Sequence, residues 1–250
     1  MNFTEWFFKT KPTIAYLTVG YPSFEESLNI GRFLLSNNYV QIIEAGIPFS
    51  DPIADGEVIQ YSTHIALQNG ITLKDVARFI NILKGEFNNP IFAMGYYNPI
   101  FANISDNLSL LKNNGCDGLI IPDINVEEIK KIKVLIDKND LMICGFVAPN
   151  TPEERMKDIV KYTTGFVYLV SSYGTTGIRD EIDFSYLRKV VYEIKSIKNI
   201  PVAIGFGIKD FSMIKSAKEI SDGAIIGSAI IDTIRNNPNY FNLIRKLFTD

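Results

Sequence analysis

The sequence predicts a single-domain (β/α)8 barrel, or TIM barrel, over residues 1–250. Short β-branched runs alternate with longer segments in which apolar residues recur at three- and four-residue steps. Eight such units without a long antiparallel stretch favour parallel strands joined by right-handed crossovers. An open doubly wound sheet is the alternative, but eight regularly spaced units fit a closed barrel better.

The predicted strands are short apolar runs rich in β-branched residues, as buried parallel strands are. In chain order they are Thr13–Leu17, Val40–Glu44, Pro90–Met94, Gly118–Ile121, Leu141–Val147, Gly165–Val170, Pro201–Gly205 and Gly223–Ile226.

The predicted helices lie between these strands and after the last one. Ser23 three residues before Glu26, and Pro152 at a first helical position, are helix start signals. Gly115 is a helix end signal just before the fourth strand. A short amphipathic helix is predicted at the N-terminus. The other helices are Phe24–Ser36, Leu73–Phe87, Ile104–Asn113, Glu127–Lys138, Pro152–Lys161, Phe184–Lys195, Phe211–Ala217, Ser228–Asn236 and Asn239–Phe248.

Composition argues against nucleic-acid and membrane partners. The chain is 46% hydrophobic and 21% charged, and its net charge of −3 comes without a basic run. Apolar stretches such as Leu119–Pro122 and Ala224–Gly227 are too short to span a bilayer. The N-terminus lacks the order of a signal peptide, so we expect a cytoplasmic protein, or a stromal one if it is plastid-encoded.

Cysteine and histidine usage narrows the chemistry further. Cys116 and Cys144 are the only cysteines, and both lie in or beside apolar runs, which is typical of reduced buried thiols. His64 is the only histidine, so metal sites built from several histidines are excluded. We therefore predict no metal site.

Glycine-bearing loops at neighbouring strand ends predict a phosphate site. Gly205 and Gly207 follow the seventh strand, and Gly227 follows the eighth. Ser228 would open a short helix whose N-terminus favours an anion, at the usual phosphate position of this fold. The alternative is a simple tight turn followed by an ordinary helix N-cap.

Acidic residues near the end of strand two are the candidates for proton transfer. Glu44 shares strand parity with Val40 and Ile42, so it is expected at the barrel mouth, where partial burial would raise its pKa. A salt-bridged structural glutamate is equally compatible with parity alone. Asp51 and Asp55 lie in the following proline-containing loop, which could turn one carboxylate inward and the other outward.

Two common routes for breaking a carbon–carbon bond are poorly supported. An imine-forming aldolase needs a lysine at a strand end, and no predicted strand ends in one. A zinc aldolase needs several histidines. Acid–base chemistry by carboxylates remains, on a substrate able to stabilise its own charge.

The stretch EAGIPFSDPIADG from Glu44 to Gly56, followed by Ile59 and Gln60, closely resembles the signature of the tryptophan synthase α-subunit family. The motif is long and rarely matched by chance, so the chain is identified as a member of that family. The resemblance covers nearly the whole chain and continues at Thr18–Pro22, Tyr97–Ile100, Ile121–Asp123, Tyr168–Ser171, Gly174–Gly177, Gly205–Ile208 and Gly227–Ile230.

The resemblance implies a (β/α)8 fold and the cleavage of indole-3-glycerol phosphate to indole and glyceraldehyde 3-phosphate. It implies that Glu44 is the general acid/base and that Asp55 holds the indole N–H. Tyr168 would lie beside Glu44, and Phe206 would form an apolar wall. The implied phosphate ligands are Gly177, Gly207, Gly227 and Ser228.

The resemblance also implies a lid and a partner. The segment 172–183 is similar to the family's mobile lid, in which Thr176 meets the indole-binding aspartate on closure. The loop containing Asp51 and the segment Asn98–Phe101 resemble surfaces that contact a β subunit in an α2β2 complex. No cofactor is expected in this chain, and pyridoxal phosphate is expected only in the β partner.

Three departures from the family pattern are Glu57, Asn125 and Thr175, and none removes a proposed catalytic group. Two other functions remain open at this point. One is a phosphate-binding barrel of another kind, such as a sugar-phosphate isomerase or epimerase. The other is an inactive barrel that only activates a β partner.

Overall fold

Eight parallel strands close into a barrel in the order in which they occur along the chain. The computed structural model describes residues 1–171 and 182–249, and the predicted barrel is confirmed. The strands are β1 (Thr13–Thr18), β2 (Ile42–Gly46), β3 (Ile91–Met94), β4 (Gly118–Ile120), β5 (Met142–Val147), β6 (Val167–Val170), β7 (Val202–Gly205) and β8 (Gly223–Ile226).

Within the described residues, twelve helices accompany the strands. They are α1 (Phe3–Thr10), α2 (Phe24–Ser36), α3 (Glu57–Gln68), α4 (Leu73–Glu86), α5 (Tyr97–Phe101), α6 (Ile104–Asn113), α7 (Val126–Lys138), α8 (Glu153–Tyr162), α9 (Phe184–Ile197), α10 (Phe211–Ile220), α11 (Ser228–Asn236) and α12 (Tyr240–Lys246). Every helix in this part of the chain is too short or too polar to cross a lipid bilayer.

The hydrophobic core has two layers because successive strand residues point to opposite faces. The outer cluster packs the strands against the helices and includes Ile43 and Leu169. The inner cluster fills the barrel and includes Ile14, Phe92 and Phe166. The barrel is therefore a filled core, and a ligand is restricted to one of its ends.

Helix α1 closes the end of the barrel at which the strands begin. Phe7 is fully buried, and its ring centroid lies 5.4 Å from that of Phe166 inside the barrel. Phe3 packs on Phe92 at 5.7 Å between centroids. Asn2 caps this helix through a hydrogen bond from the backbone N–H of Glu5. The opposite end, where the strands finish, is left for a functional site.

The predicted boundaries differ from the structure most clearly at β2. The strand was predicted as Val40–Glu44, but it runs from Ile42 to Gly46. Val40 precedes the strand and packs in the outer cluster, whereas Ile42 belongs to the inner one. Gly46 joins the strand because its neighbours on both sides pair with it, at Thr18 and Met94. Local propensity does not predict that extension.

Two further local differences have clear causes. Helix α5 was not among the predicted helices. Pro99 falls in the first turn of this short helix, where its missing N–H is tolerated. Helix α8 begins at Glu153, with Pro152 as its N-cap rather than its first residue. The start signal at Ser23 and the end signal at Gly115 (φ 91°) are confirmed.

Candidate active site

A cavity opens at the end of the barrel where the strands finish. The described residues that line it come from β1, β2, β3, β6 and β8, the loop after β2, helix α3, the turn after β7 and the start of α11. The sequence-predicted site residues that meet here are Glu44, Asp55, Tyr168, Phe206, Gly207, Gly227 and Ser228.

Glu44 is the central residue of β2 and is completely buried. Within the described residues, neither of its carboxylate oxygens has a hydrogen-bond partner. Burial disfavours the ionised form and raises the pKa of Glu44 to about 8. Burial is complete where partial burial was predicted, because β2 ends two residues later than predicted. The raised pKa and the position of Glu44 at the cavity agree with the prediction.

Asp55 is held at the cavity by the loop between β2 and α3, and its exposed fraction is 8%. Burial raises its pKa to about 6, and a hydrogen bond with the Tyr96 hydroxyl opposes that rise. The same hydroxyl accepts a hydrogen bond from Ala54 N at 3.0 Å. The side-chain amide of Gln60 donates to the Asp55 carbonyl oxygen at 2.7 Å. Hydrogen bonds therefore hold the loop at the Asp55 side chain, at the backbone of Ala54 and at Gln60 in the first turn of α3.

Tyr168 extends from β6 beneath the cavity and is 4% exposed. Its ring stacks on Phe146, with centroids 4.7 Å apart, and meets Phe206 edge-on at 5.6 Å. Burial, together with the nearby carboxyl groups of Glu44 and Asp55, raises the pKa of Tyr168 well above its usual range. Its hydroxyl is therefore neutral and available as a hydrogen-bond donor.

A sharp turn after β7 brings backbone to the rim of the cavity. Phe206 and Gly207 have φ values of 70° and 83°, in the left-handed region. Helix α11 begins alongside at Ser228, with Gly227 as its N-cap. The N-terminus of a helix presents backbone N–H groups and the positive end of its dipole, so this corner of the cavity favours an anion.

The two residues predicted to face a partner lie outside the cavity. Asp51 and Asn98 are both exposed, one in the loop after β2 and the other in α5. The side chain of Ile53, in the same loop as Asp51, is 75% exposed. The remaining predictions, for Thr176 and Gly177 in the lid, fall on residues outside the described ranges.

Two tyrosines of the site had no predicted role. Tyr16 lines the cavity and is paired directly with Glu44 in the register of β1 and β2. Tyr96, just after β3, donates to Asp55. The sequence could have indicated that both residues lie at the site, because Tyr16 shares the strand face of Ile14 in the inner cluster and Tyr96 follows a strand end. Their partners are distant in sequence, so the specific contacts had no sequence signal.

Two of the three departures from the family pattern, Asn125 and Glu57, lie among the described residues, and their contacts are defined. Asn125 is the N-cap of α7, and its side chain accepts a hydrogen bond from Glu128 N at 2.8 Å. Glu57, the first residue of α3, lies 3.8 Å from the guanidinium of Arg235 in α11. Thr175 lies outside the described residues. Among residues 1–171 and 182–249, no three His, Cys, Asp or Glu side chains converge as a metal site would require.

Comparison with known proteins gives a consistent result. The family model described as tryptophan synthase alpha chain matches residues 8–246. The tryptophan synthase alpha chain of Petrotoga mobilis is 41% identical over 235 residues, which cover 94% of this chain and 90% of that protein. A solved Aquifex aeolicus structure has a TM-score of 0.88 and 32% identity, covering 98% of this chain and 96% of its own. A solved variant of the Pyrococcus furiosus tryptophan synthase alpha-subunit has a TM-score of 0.83 and 36% identity, covering 95% of this chain and 96% of its own.

Proposed function

The chain belongs to the tryptophan synthase alpha chain family, and from this premise we propose how its residues perform the reaction. It is a carbon–carbon lyase of tryptophan biosynthesis, and it cleaves indole-3-glycerol phosphate to indole and glyceraldehyde 3-phosphate. One observation carries the proposed roles. Glu44 and Asp55 are two buried carboxyl groups with different pKa values, and they line the same cavity as the turn at Gly207.

Glu44 acts as the general acid and then as the general base. Its raised pKa keeps a proton on the carboxyl group at neutral pH, ready for transfer to C3 of the indole ring. The protonated ring then accepts the electron pair of the carbon–carbon bond that breaks. The Glu44 carboxylate takes the proton of the adjacent glycerol hydroxyl as that carbon becomes an aldehyde. The catalyst is thereby restored without a metal or an imine.

Asp55 holds the indole N–H and stabilises the positive charge that protonation at C3 places on the ring nitrogen. Its pKa of about 6 leaves it ionised at pH 7, whereas Glu44 stays protonated. Because their surroundings differ, one of the two carboxyl groups is protonated and the other is ionised at the same pH. The hydrogen bond from Tyr96 fixes the direction of the carboxylate.

The other cavity residues bind and orient the substrate. The Tyr168 ring and Phe206 form apolar walls for the indole. Backbone N–H groups at Gly207, Gly227 and Ser228 hold the phosphate, and Gly177 is proposed to join them from the lid. Thr176 is proposed to meet Asp55 when the lid closes over the substrate. Closure of this kind excludes water from the reacting centre.

We propose that the chain acts with a β subunit in an α2β2 complex, to which it passes indole. The loop that contains Asp51 and helix α5 with Asn98 would form the contact surface. Their exposure supports the assignment, since the isolated chain leaves the apolar side chain of Ile53 in solvent. Pyridoxal phosphate belongs to that partner, and this chain works without a cofactor. The similar proteins come from bacteria and archaea, which favours the cytoplasm over a plastid.

Indole release from indole-3-glycerol phosphate, followed spectroscopically with and without a β subunit, tests the proposal. Glu44→Gln keeps the shape of the side chain but removes its acid–base function, so kcat is expected to fall about 10²- to 10⁴-fold while substrate still binds. Asp55→Ala is expected to be nearly as damaging. The control is Glu154→Gln on the exposed face of α8, which should be as active as the unaltered chain.

Near-normal turnover of the Glu44 variant would remove that residue from the mechanism. A mild effect of Asp55→Ala would reduce Asp55 to a loop residue. A chain that releases no indole alone but stimulates a β subunit would be an activator instead of an enzyme.

A further inference from the structure

Four hydroxyl-bearing side chains, three of them buried, form a cluster between the barrel and the helix that follows Asp55. Tyr16 and Thr18 come from β1, and Ser62 and Thr63 come from α3. Thr18 is 1% exposed, Ser62 is fully buried and Thr63 is 4% exposed. These four residues are called the hydroxyl cluster below.

The members of the hydroxyl cluster are joined by hydrogen bonds. Thr18 Oγ1 lies 3.3 Å from the Tyr16 hydroxyl and 2.7 Å from Ser62 Oγ, and its single proton can serve either contact. Thr63 is hydrogen-bonded to the Tyr16 hydroxyl as well. Ser62 also donates to the carbonyl oxygen of Ile59 at 2.8 Å, one turn earlier in α3. Strand β1 and helix α3 are therefore connected by directional contacts at two residues of each.

Packing alone does not require polar groups at this position. Buried hydroxyls cost free energy unless they are bonded, and each bond then contributes little net stability. The neighbouring strand residues Leu17 and Ile43, on the opposite faces of β1 and β2, pack among apolar side chains instead. Apolar contacts tolerate small displacements, whereas hydrogen bonds weaken steeply with distance and angle. A hydroxyl cluster therefore specifies where α3 sits more closely than apolar packing would.

Helix α3 determines the place of Asp55. The helix begins at Glu57, and its N-cap Gly56 directly follows Asp55. Gln60 in the first turn donates to the Asp55 carbonyl oxygen at 2.7 Å, and Ile59 lines the cavity. A shift of the first turn therefore moves the Asp55 carboxylate.

The other end of the hydroxyl cluster reaches Glu44. Tyr16 lies directly opposite Glu44 in the parallel pairing of β1 with β2. Its ring crosses above Gly46, where a Cβ atom would come within 2.5 Å of the hydroxyl. A Cβ atom at Gly227 would lie 3.0 Å from Tyr16 Cβ. The ring is confined between two glycines of neighbouring strand ends, so the position of its hydroxyl is well defined.

We propose that Tyr16 is a positioning residue, whose hydroxyl, through the hydroxyl cluster, holds the start of α3 so that Asp55 faces the indole ring opposite Glu44. The inference rests on the proposed roles of Glu44 and Asp55. Tyr16 itself transfers no proton in this scheme. Its ring stays neutral because burial and the charges of Asp55 and Glu44 raise the pKa of its hydroxyl.

Two variants test the proposal through kcat and KM for indole release. Tyr16→Phe keeps the ring and removes the hydroxyl, and Ser62→Ala removes the bond between Thr18 and α3. Each is expected to lower kcat by roughly 10-fold with a smaller change in KM, because a small misplacement of a reacting group has a large effect on rate. The double variant should lose less than the product of the two single losses, since both act through the same contacts.

The matched control is Ser221→Ala, at the opposite end of the barrel. Ser221 is also buried, and its hydroxyl is hydrogen-bonded to the carbonyl oxygens of Ala217 and Gly223 at 2.8 and 2.9 Å. It should lower the melting temperature about as much as Ser62→Ala does while leaving kcat unchanged. This separates positioning from a general loss of stability.

Unchanged kcat in Tyr16→Phe and Ser62→Ala would overturn the proposal, as would fully multiplicative losses in the double variant. If Tyr16→Phe does not fold, as judged by circular dichroism, Ser62→Ala against Ser221→Ala still decides the matter. Failure of the proposed function has a different signature, because the unaltered chain would then release no indole in the same assay.

Discussion

At the scale of single residues, Glu44 and Asp55 differ in what surrounds them and not in their chemistry. Glu44 is fully buried and has no hydrogen-bond partner among the described residues, whereas Asp55 keeps 8% exposure and a bond from Tyr96. The pKa values are raised to about 8 and about 6. At a pH between these two values Glu44 carries a proton and Asp55 does not, as the proposed retro-aldol cleavage requires.

The buried acid should also make the stability of the protein depend on pH. The pKa of Glu44 rises from 4.5 to about 8 on folding. The folded state therefore binds more protons than the unfolded state in this window, and stability falls as pH rises through it. Glu44→Gln removes this dependence. Between pH 4.5 and pH 7, the free energy of unfolding of this variant should rise by on the order of 3 kcal/mol relative to that of the unaltered chain.

Urea unfolding of both proteins across this pH range measures the difference. Asp55 titrates in both proteins, so its contribution cancels in the comparison. A difference in unfolding free energy that stays constant from pH 4.5 to pH 8 would show that Glu44 is not held in its neutral form.

Tyr96 is expected to set the acidic limb of the pH–rate profile. Its hydrogen bond to Asp55 lowers the pKa of that carboxyl group against the effect of burial. Tyr96→Phe removes the bond, so the pKa of Asp55 rises and the acidic limb of kcat should move to higher pH, by up to about one unit. Tyr192→Phe, on the exposed face of α9, is the control and should leave the profile in place. If the acidic limb did not move in Tyr96→Phe, that limb would not report the titration of Asp55.

At the scale of secondary-structure elements, periodicity located all eight strands, because each is a short apolar run bounded by turn residues. The end of β2 was missed because Ala45 and Gly46 have low strand propensity and join the sheet through pairing on both sides. Helix α5 was not among the predicted helices, and Pro99 in its first turn is compatible with it. The error at β2 is a case in which tertiary contacts outweigh local preference.

The site was predictable where residue type and strand-end position carry the chemistry, as for Glu44 and the glycines after β7 and β8. The roles of Asp55 and Tyr168 came from the family resemblance, since surface-loop acids and core tyrosines are common. The contacts of Tyr16 with α3 and of Tyr96 with the loop after β2 had no sequence signal. They join residues that only barrel closure brings together.

Glycines at strand ends allow tyrosine rings to lie across the barrel, and this is testable at β7. A Cβ atom at Gly205 would lie 2.6 Å from the Tyr168 hydroxyl. Gly205→Ala should therefore lower the free energy of unfolding by about 1–3 kcal/mol and displace the Tyr168 ring. The control is Gly85→Ala in α4, where a Cβ atom meets nothing within 4 Å. That change should stabilise the protein by about 0.5–1 kcal/mol.

Urea unfolding of the two alanine variants gives the comparison directly, and indole release reports the displaced ring. If both variants were stabilised equally, the ring of Tyr168 would not depend on the missing side chain at Gly205.

At the scale of the whole molecule, the two ends of the barrel have separate tasks. Helix α1 seals one end with Phe3 and Phe7, so burial there contributes stability. The other end gathers the two carboxyl groups, the aromatic walls and the turn beside α11 in one cavity. A substrate with an apolar ring and a phosphate matches this arrangement, since the aromatic walls and the helix N-terminus lie at different parts of the same cavity.

This arrangement predicts that phosphate-bearing ligands stabilise the whole barrel. Glycerol 3-phosphate at about 100 times its Kd should add about 2.7 kcal/mol to the free energy of unfolding. For a chain of this length, that corresponds to a rise in melting temperature of about 5–10 °C. Glycerol at the same concentration lacks the anion and should have little effect. Ser228→Ala should reduce the shift, because the first residue of α11 faces the cavity. Equal shifts from glycerol and its phosphate in a thermal scan would place the anion elsewhere and leave the start of α11 as an ordinary helix end.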